Sequence, residues 1–309
     1  MRRAGLAVAS EPVAAEAARA YLQAGGDAIG AVASGFFAAA GQTPGVLFGP
    51  LALLTAQVGA GVRAFDGRQR QPGLELRRPR GLAPEDTVPP AARVAAPSSI
   101  AALLVALRYG QQAPLSKVIA NGVAIAKQLG AERRAAVLDQ IQRLGAAALA
   151  APAISRALIH LAGPSEGGSL GSADLAAIPE LDQPARSVDS SRVAPWDSER
   201  PDPARVSEAD WNDQLERQQG LCARDVRGGL AALCYDRAVH GLVVEELELL
   251  LPLNAVPPRR GVTRVSPGSF LPAPTPLAIE VSPTAIPISA CVRLSGRAPL
   301  IVHVASTPL

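Results

Sequence analysis

The stretch GLAVASEPVAAEAARAYLQAGGDA, residues 5–28, sets the first elements of the fold. Gly5–Ser10 is apolar and bounded by turn formers, which predicts a short buried strand. Pro12–Gln23 is rich in alanine and stops before a Gly-Gly pair, which predicts a helix. Asp27 then stands where an N-cap is needed, and a second helix is expected from there to Ala40.

The rest of the chain continues with helices and then changes to strands. Ala/Leu periodicity predicts helices at 98–109, 115–129, 131–148 and 151–161, and Ser207 is expected to cap another over 207–219. Strands are expected at 45–60, 61–65, 221–226, 229–235, within 240–250, and at 275–281, 286–294 and 299–304. This order indicates an α/β fold of the layered α+β kind.

The organisation of the chain follows from one polar segment. Residues 178–206 are rich in Pro, Ser, Asp and Arg and lack apolar periodicity, which predicts a surface linker or loop. We expect the parts 1–177 and 207–309 on either side of it to form one domain.

Composition excludes several classes of function. The chain has 309 residues, of which 48% are hydrophobic and 3% aromatic, so its core must be built from small and aliphatic side chains. Basic and acidic residues number 30 and 27, and the short arginine clusters lack neighbouring aromatics, so nucleic-acid binding is not expected. No stretch of 18 apolar residues without glycine or charge occurs, so no membrane association is expected.

The cysteines and histidines show no metal-binding spacing. They are Cys222, Cys234, Cys291, His160, His240 and His303. Without a CxxC pair or a clustered histidine, we expect neither a metal nor a cofactor. The sparse, odd cysteine count is typical of a reducing compartment, and the apolar run at 4–9 is too short for a secretory signal. The sequence therefore predicts a cytoplasmic protein.

Four segments of the first half, in this order, resemble the γ-glutamyltransferase (γ-glutamyltranspeptidase) family. They are Val8–Pro12 with Ala14–Ala17 and Gly25–Ala28; Phe65–Arg68 followed by Pro72; Pro97 with Ala101–Leu103 and Arg108–Gly110; and Gly167-Gly168 with Ala173–Ala176. In the second half, Asp225 and Gly228 with the strand to Leu233, and Asn254–Pro258 with Arg260 and Ser266-Pro267, are similar to segments of the family's small subunit. Family members are longer, so this chain resembles a shortened and divergent member.

The resemblance implies an N-terminal-nucleophile (Ntn) hydrolase fold, a four-layer αββα sandwich, here truncated. It also implies a chemistry in which a precursor cleaves itself before a threonine. The hydroxyl of that threonine then attacks a γ-glutamyl amide, and its freed amine acts as the base.

The position of the family's nucleophile falls on a residue that cannot do this chemistry. Alignment on Asp225 places it at Gln218, and no threonine occurs between Thr87 and Thr263. Cys222 is the nearest thiol, four residues further on, within a predicted buried strand. It is the alternative nucleophile, because cysteine serves this role in other Ntn families.

The groups that hold the glutamyl substrate are largely replaced. The positions that would bind its ammonium are Leu247 and Leu250, which cannot pair with a cation. The paired serines correspond to Thr263 and Arg264, and the oxyanion loop has no counterpart. Arg68 alone stands where the family's arginine grips the substrate carboxylate. A simpler interpretation makes Arg68 one exposed arginine of an arginine-rich surface stretch with Arg63 and Arg70.

Two further patterns have ordinary interpretations. On a strand, Glu246 and Glu248 would share one face with Leu247 and Leu249 on the other, as in a half-buried strand rather than an acid–base site. The run 167–171 matches the Gly-x-Ser-x-Gly nucleophile elbow, with Ser169 as the serine and Asp174 and His240 downstream. A helix and turn lead into it where the elbow requires a strand, which favours a flexible loop.

Three hypotheses about function remain. The chain could be a non-catalytic relative that acts as a scaffold, either as a homo-oligomer or as a partner of another subunit. It could be an active hydrolase or acyltransferase that uses Cys222 after self-cleavage, or Ser169 without it. It could be a binding module that keeps Arg68 as a carboxylate anchor.

Overall fold

The structure is a computed structural model that describes residues 5–57, 61–76, 81–83, 85–110, 114–196, 207–260, 264–275, 277–281, 287–292 and 300–303. The helices are α1 Pro12–Gln23, α2 Ala28–Gln42, α3 Ser99–Leu107, α4 Leu115–Gln128, α5 Glu132–Leu144, α6 Pro152–Ala162, α7 Ser172–Ala176 and α8 Glu208–Arg217. The strands are β1 Leu6–Ala9, β2 Leu51–Gln57, β3 Gly61–Gly67, β4 Asp182–Pro184, β5 Arg186–Ser187, β6 Arg192–Ala194, β7 Gln218–Arg224, β8 Leu230–Asp236, β9 Leu242–Val244, β10 Leu249–Leu251, β11 Leu277–Val281, β12 Pro287–Val292 and β13 Leu300–His303.

The larger sheet combines strands from both ends of the chain. Its order is β1-β7-β8-β2-β3-β4, and every neighbouring pair is antiparallel. Both faces of the sheet are covered. Leu51 and Leu53 of β2 join the core beneath the helices, while Ala52 and Leu54 join the core on the opposite face. This division follows from the two-residue period of a strand.

A second sheet, in the order β13-β12-β11-β6-β5, stacks on that opposite face. Small side chains, such as Ala52, Ala232 and Cys222, fill much of the core between the two sheets. Helices α1, α2 and α3 cover the other face of the larger sheet. The described residues thus form a helical layer, two stacked sheets and the separate two-stranded sheet of β9 and β10. The mixed α/β, layered class is confirmed, and the fourth layer of the expected sandwich stays a prediction.

Helices α2 and α8 begin with the side-chain caps that the sequence predicts. The Asp27 side chain accepts a hydrogen bond from the Gly30 N–H at 2.7 Å and so starts α2. The Ser207 hydroxyl accepts from the Asp210 N–H at 3.1 Å and starts α8. Each cap satisfies a backbone donor that the first turn of a helix leaves without a partner.

Three local predictions are wrong. Residues 45–50 form buried turns, and β2 begins only at Leu51. Glu246 lies in the 3₁₀ turn Glu245–Leu247, and Glu248 has a left-handed φ of 52°, so the two do not share a strand face. The expected linker contains β4, β5 and β6, of which β4 pairs with β3 and β6 with β11. The remainder of that segment, 197–206, lies outside the described residues.

Among the described helices, none is by itself long and apolar enough to cross a bilayer. One bent pair, Glu132–Ala150 with Pro152–Glu166, passes by length and composition alone, with a bend of 47°.

Candidate functional site

The nucleophile position of the resemblance lies at the start of β7. Gln218 directly follows α8 and is the first residue of β7, where it pairs with Asp236 of the neighbouring strand β8. Its side chain is buried, and its Oε1 accepts a hydrogen bond from the Cys234 thiol at 2.8 Å. The side-chain amide of Gln218 is therefore already engaged by the neighbouring strand β8.

A buried ion pair flanks Gln218. Arg217 donates from Nε and Nη2 to the carboxylate of Asp236 at 3.0 and 2.9 Å, and its Nη1 pairs with Asp213. Burial alone would lower the pKa of Arg217, but the hydrogen bond and charge of Asp236 raise it above its ordinary value. The Arg217 guanidinium next to Gln218 is thus engaged by two carboxylates.

The two described cysteines are reduced thiols in the core between the sheets. Cys222 has 0% exposure, and its sulfur lies 3.7 Å from the carbonyl oxygen of Leu300 on β13. Burial is the main factor that raises the pKa of the Cys234 thiol well above its ordinary value. A substrate could reach either sulfur only if the two sheets separated.

Arg68 is partly buried and already paired. Its Nε and Nη2 contact the carboxylate of Asp66 at 3.0 and 2.6 Å. The guanidinium lies 4.5 Å from the ring centroid of Trp196 and 5.2 Å from that of Phe270. The interpretation of Arg68 as a simple surface arginine is therefore wrong. Arg70, from the same stretch, is only 2% exposed and donates to a serine hydroxyl and to backbone carbonyls.

Arg68 and Gln218 lie at the same end of the larger sheet. Leu51 of β2 pairs with Gly67 and Tyr235, so three strand spacings separate Arg68 from Gln218. At roughly 4.8 Å per spacing, the two backbones are about 14 Å apart.

Side-chain amides bridge part of this distance. Asn254 Nδ2 donates to Gln69 Oε1 at 2.7 Å, and Gln214 Nε2 donates to Asn254 Oδ1 at 3.4 Å. Beside them opens a cleft of about 210 Å³, which we call the amide cleft. It is lined by Arg93, Asp210, Asp213, Gln214, Arg217, His240, Leu253, Asn254, Ala255 and Pro257.

The remaining predicted site residues are not brought together. Leu247 is buried in its 3₁₀ turn, and Leu250 pairs with Val243 in the small β9–β10 hairpin. Thr263 lies outside the described residues. Arg264 is exposed and lines a second cavity.

The Ser169 pattern does not form a catalytic triad. Ser169 follows a 3₁₀ turn, Pro164–Glu166, and lines the second cavity, whereas His240 lines the amide cleft. The Asp174 carboxylate accepts hydrogen bonds from the backbone N–H groups of Gly73, Leu74 and Gly171 at 2.9–3.1 Å. Asp174 therefore fixes the loop backbone and does not orient a catalytic histidine. Across the described ranges, no group of three or more His, Cys, Asp or Glu side chains is placed to hold a metal ion.

Comparison with known proteins gives structural matches but no sequence matches. No protein-family model and no curated protein matches the chain. A cephalosporin acylase from Bacillus halodurans superposes with a TM-score of 0.69 and 14% identity, over 94% of this chain and 77% of that chain. Two LmbA2991 structures superpose with TM-scores of 0.68 and 0.66 and identities of 16% and 15%, over 93% of this chain and 78% of theirs.

The chain shares the fold of this acylase and of the LmbA2991 structures. At 14–16% identity these matches establish the fold alone and carry no activity over to this protein. A γ-glutamyltranspeptidase from Pseudomonas nitroreducens overlaps with 59% of the chain, and with 67% of its own, at a TM-score of 0.45 and 16% identity.

Sequence reasoning expected a helix up to residue 219 and a strand from residue 221, whereas β7 already begins at Gln218, and it missed the surroundings of that residue. The Cys234 contact to Gln218 joins residues 16 positions apart, and the ion pair of Arg217 with Asp236 joins residues 19 apart. An alternating strand pattern for β8 could have placed Cys234 and Asp236 on one face of the sheet. No local signal indicated that Trp196 and Phe270 would enclose Arg68.

Proposed function

We propose that this chain is a catalytically inactive γ-glutamyltransferase-like protein that serves as a scaffold or as one subunit of an assembly. The observation that carries the proposal is the start of β7, where the nucleophile position holds Gln218. Its side-chain amide accepts a hydrogen bond from Cys234. An Ntn nucleophile needs a hydroxyl or thiol with a free α-amine at that one position.

The groups around Arg68 and the nearest thiol support the same proposal. Arg68 would have to leave Asp66 before it could bind a substrate carboxylate, which argues against the carboxylate-anchor hypothesis. The alternative enzyme, with Cys222 as nucleophile, requires access to a thiol with no exposed surface. Vestigial substrate contacts at Arg68 and Thr263 remain hypotheses, as do the cytoplasmic location and the fourth layer of the sandwich.

An activity assay tests the inactive assignment. We expect purified protein to release no p-nitroaniline from γ-glutamyl-p-nitroanilide above the buffer rate, with or without glycylglycine as acceptor. The matched control is Cys222→Ala, which should give the same baseline. Turnover by the native chain that disappears in the Cys222→Ala variant would contradict the proposal and establish the alternative enzyme.

Association is the proposed role that replaces catalysis. Large apolar side chains are exposed on or next to the helical layer, with exposed fractions of 58% for Leu129, 50% for Leu144 and 61% for Ile178. Leu144 and Ile178 also line an apolar cleft of about 700 Å³ beside α3. Monomers seldom leave large contiguous apolar patches uncovered, and two-fold dimers are the commonest remedy.

Light scattering at micromolar concentration measures the oligomeric state. We expect a mass at least twice that of the chain, or a stoichiometric partner in a pull-down from native lysate. A monodisperse monomer without a partner would refute the assembly role. It would not bear on catalytic inactivity, which the activity assay tests separately.

A further inference from the structure

The apolar cleft beside α3 is bordered by that helix and by the 3₁₀ turn that follows α5. Its volume is about 700 Å³, and its walls include Leu104, Val105, Leu115, Leu144 and Ile178. We call it the α3 cleft. Leu144 is 50% exposed and Ile178 is 61% exposed, so two large apolar side chains face solvent beside an apolar concavity. Burying them in a protein contact is favourable.

The border of the α3 cleft that carries Ile178 has a fixed backbone. Hydrogen bonds hold this segment on both sides of Ile178. Arg70 Nη2 donates to the Ala177 carbonyl at 3.1 Å, and the Asp66 N–H donates to the Leu181 carbonyl at 2.8 Å. Ile178 is therefore presented to solvent by an anchored backbone, and a partner that covers it does not have to order the segment. That lowers the cost of association.

Two residues of opposite charge lie at the α3 cleft. Arg108, which follows α3, is exposed and lines the cleft, and Glu180 is exposed two residues after Ile178. They belong to one region of the surface, because the Tyr109 hydroxyl donates a hydrogen bond to Asp182. Within the described part of the chain, the side chains of Arg108 and Glu180 have neither a hydrogen-bond nor an ion-pair partner.

A two-fold contact between copies of the chain uses the concavity, the apolar projection and both charges together. In such a contact, any pair of residues that meets across the interface meets twice, once in each direction. The border with Ile178 of one copy can enter the α3 cleft of the other copy. The same rotation brings Glu180 of each copy towards Arg108 of the other.

We propose that the α3 cleft is a two-fold dimer interface, in which Ile178 of each copy fills the cleft of the other and Arg108 pairs with Glu180 across the axis. The inference rests on the association proposed above and names its face and its partner, a second copy of this chain. Charge complementarity favours a second copy over an unrelated protein, because this one surface supplies both members of the ion pair.

Sedimentation equilibrium of the full chain at micromolar concentration measures the dimer dissociation constant. We expect Ile178→Asp to raise this constant roughly thirtyfold or more, because a charge replaces the apolar side chain at the centre of the contact. Arg108→Glu and Glu180→Arg should each raise it roughly tenfold, because like charges then meet across the axis. The double variant, Arg108→Glu with Glu180→Arg, should return to within about threefold of the native constant, since opposite charges meet again.

The matched control is Val243→Asp. It introduces the same charge at a residue of β9 that is 59% exposed and does not line the α3 cleft. The dissociation constant of this variant should equal that of the native chain. Because Ile178 and Val243 are both largely exposed, both aspartate variants should keep the native circular dichroism spectrum, which separates lost association from lost folding.

A native dimer whose dissociation constant does not change in Ile178→Asp would overturn this inference and leave the assembly role standing, because another face would then join the copies. A monomer that binds a different protein would have the same consequence. A monomer without any partner would overturn both the inference and the assembly role. Failure of the double charge reversal to restore association would overturn the pairing of Arg108 with Glu180, and with it the two-fold arrangement.

Discussion

Replacing Asp236 by alanine is expected to lower the free energy of unfolding by about 3 kcal/mol or more. Asp236 has no exposed surface, and it accepts two hydrogen bonds from Arg217, whose side chain is 11% exposed. Without this carboxylate, a largely buried guanidinium keeps only its contact with Asp213, which is half-exposed. Urea denaturation followed by circular dichroism measures the loss.

The control for Asp236→Ala is Asp139→Ala. Asp139 pairs with Arg143 one turn away on α5, and both side chains are largely exposed. Exposed pairs of this kind contribute roughly 0.3–0.5 kcal/mol. Equally small losses in both variants would contradict the description of a buried ion pair at the start of β7.

Arg68→Ala is expected to destabilise the protein by about 3 kcal/mol. The substitution leaves the Asp66 carboxylate, which is 2% exposed, with only the backbone N–H of residue 68 as a donor. It also removes the stacking of the guanidinium on Trp196 and Phe270. The double variant Asp66→Ala with Arg68→Ala should lose less than Arg68→Ala alone, because no unpaired buried charge remains.

Measuring the melting temperature with and without glutamate distinguishes this structural role of Arg68 from a ligand-binding role. A ligand that binds the native state and not the unfolded state raises the melting temperature once its concentration exceeds its dissociation constant. The Arg68 guanidinium is already paired with Asp66. We therefore expect glutamate to change the melting temperature of the native protein no more than that of Arg68→Ala. A shift that vanishes in Arg68→Ala, together with unchanged stability of that variant, would restore the carboxylate-anchor hypothesis.

Local signals in the sequence predicted the elements that local chemistry controls. Asp27 and Ser207 were identified as caps because their side chains bond to backbone donors within three residues. The helical stretches were predictable for the same reason, since their periodicity is local. The apolar run at 45–50 was misassigned because it is buried in turns, and an apolar run indicates burial rather than extended backbone.

The candidate site was predictable only in part, because its contacts join distant segments. The absence of threonine between Thr87 and Thr263 could be read from the sequence, while the assignment of the nucleophile position to Gln218 rests on the resemblance and stays a prediction. The burial of Arg70 could not, since its partners are Ser98 at the start of α3 and Asp174 in α7, which are distant in sequence. The position of Arg68 likewise depends on Trp196 and Phe270, which only the folded chain brings to it.

The intact mass of the purified full chain, measured under denaturing conditions, tests most directly whether Gln218 has replaced the self-processing nucleophile. We predict a single species at the mass of the uncleaved chain, 31.7 kDa. The strand β7 would then remain joined to α8, with no free α-amine at its first residue. Two fragments, one of them beginning at residue 218 or at Cys222, would contradict the proposal of a non-catalytic protein.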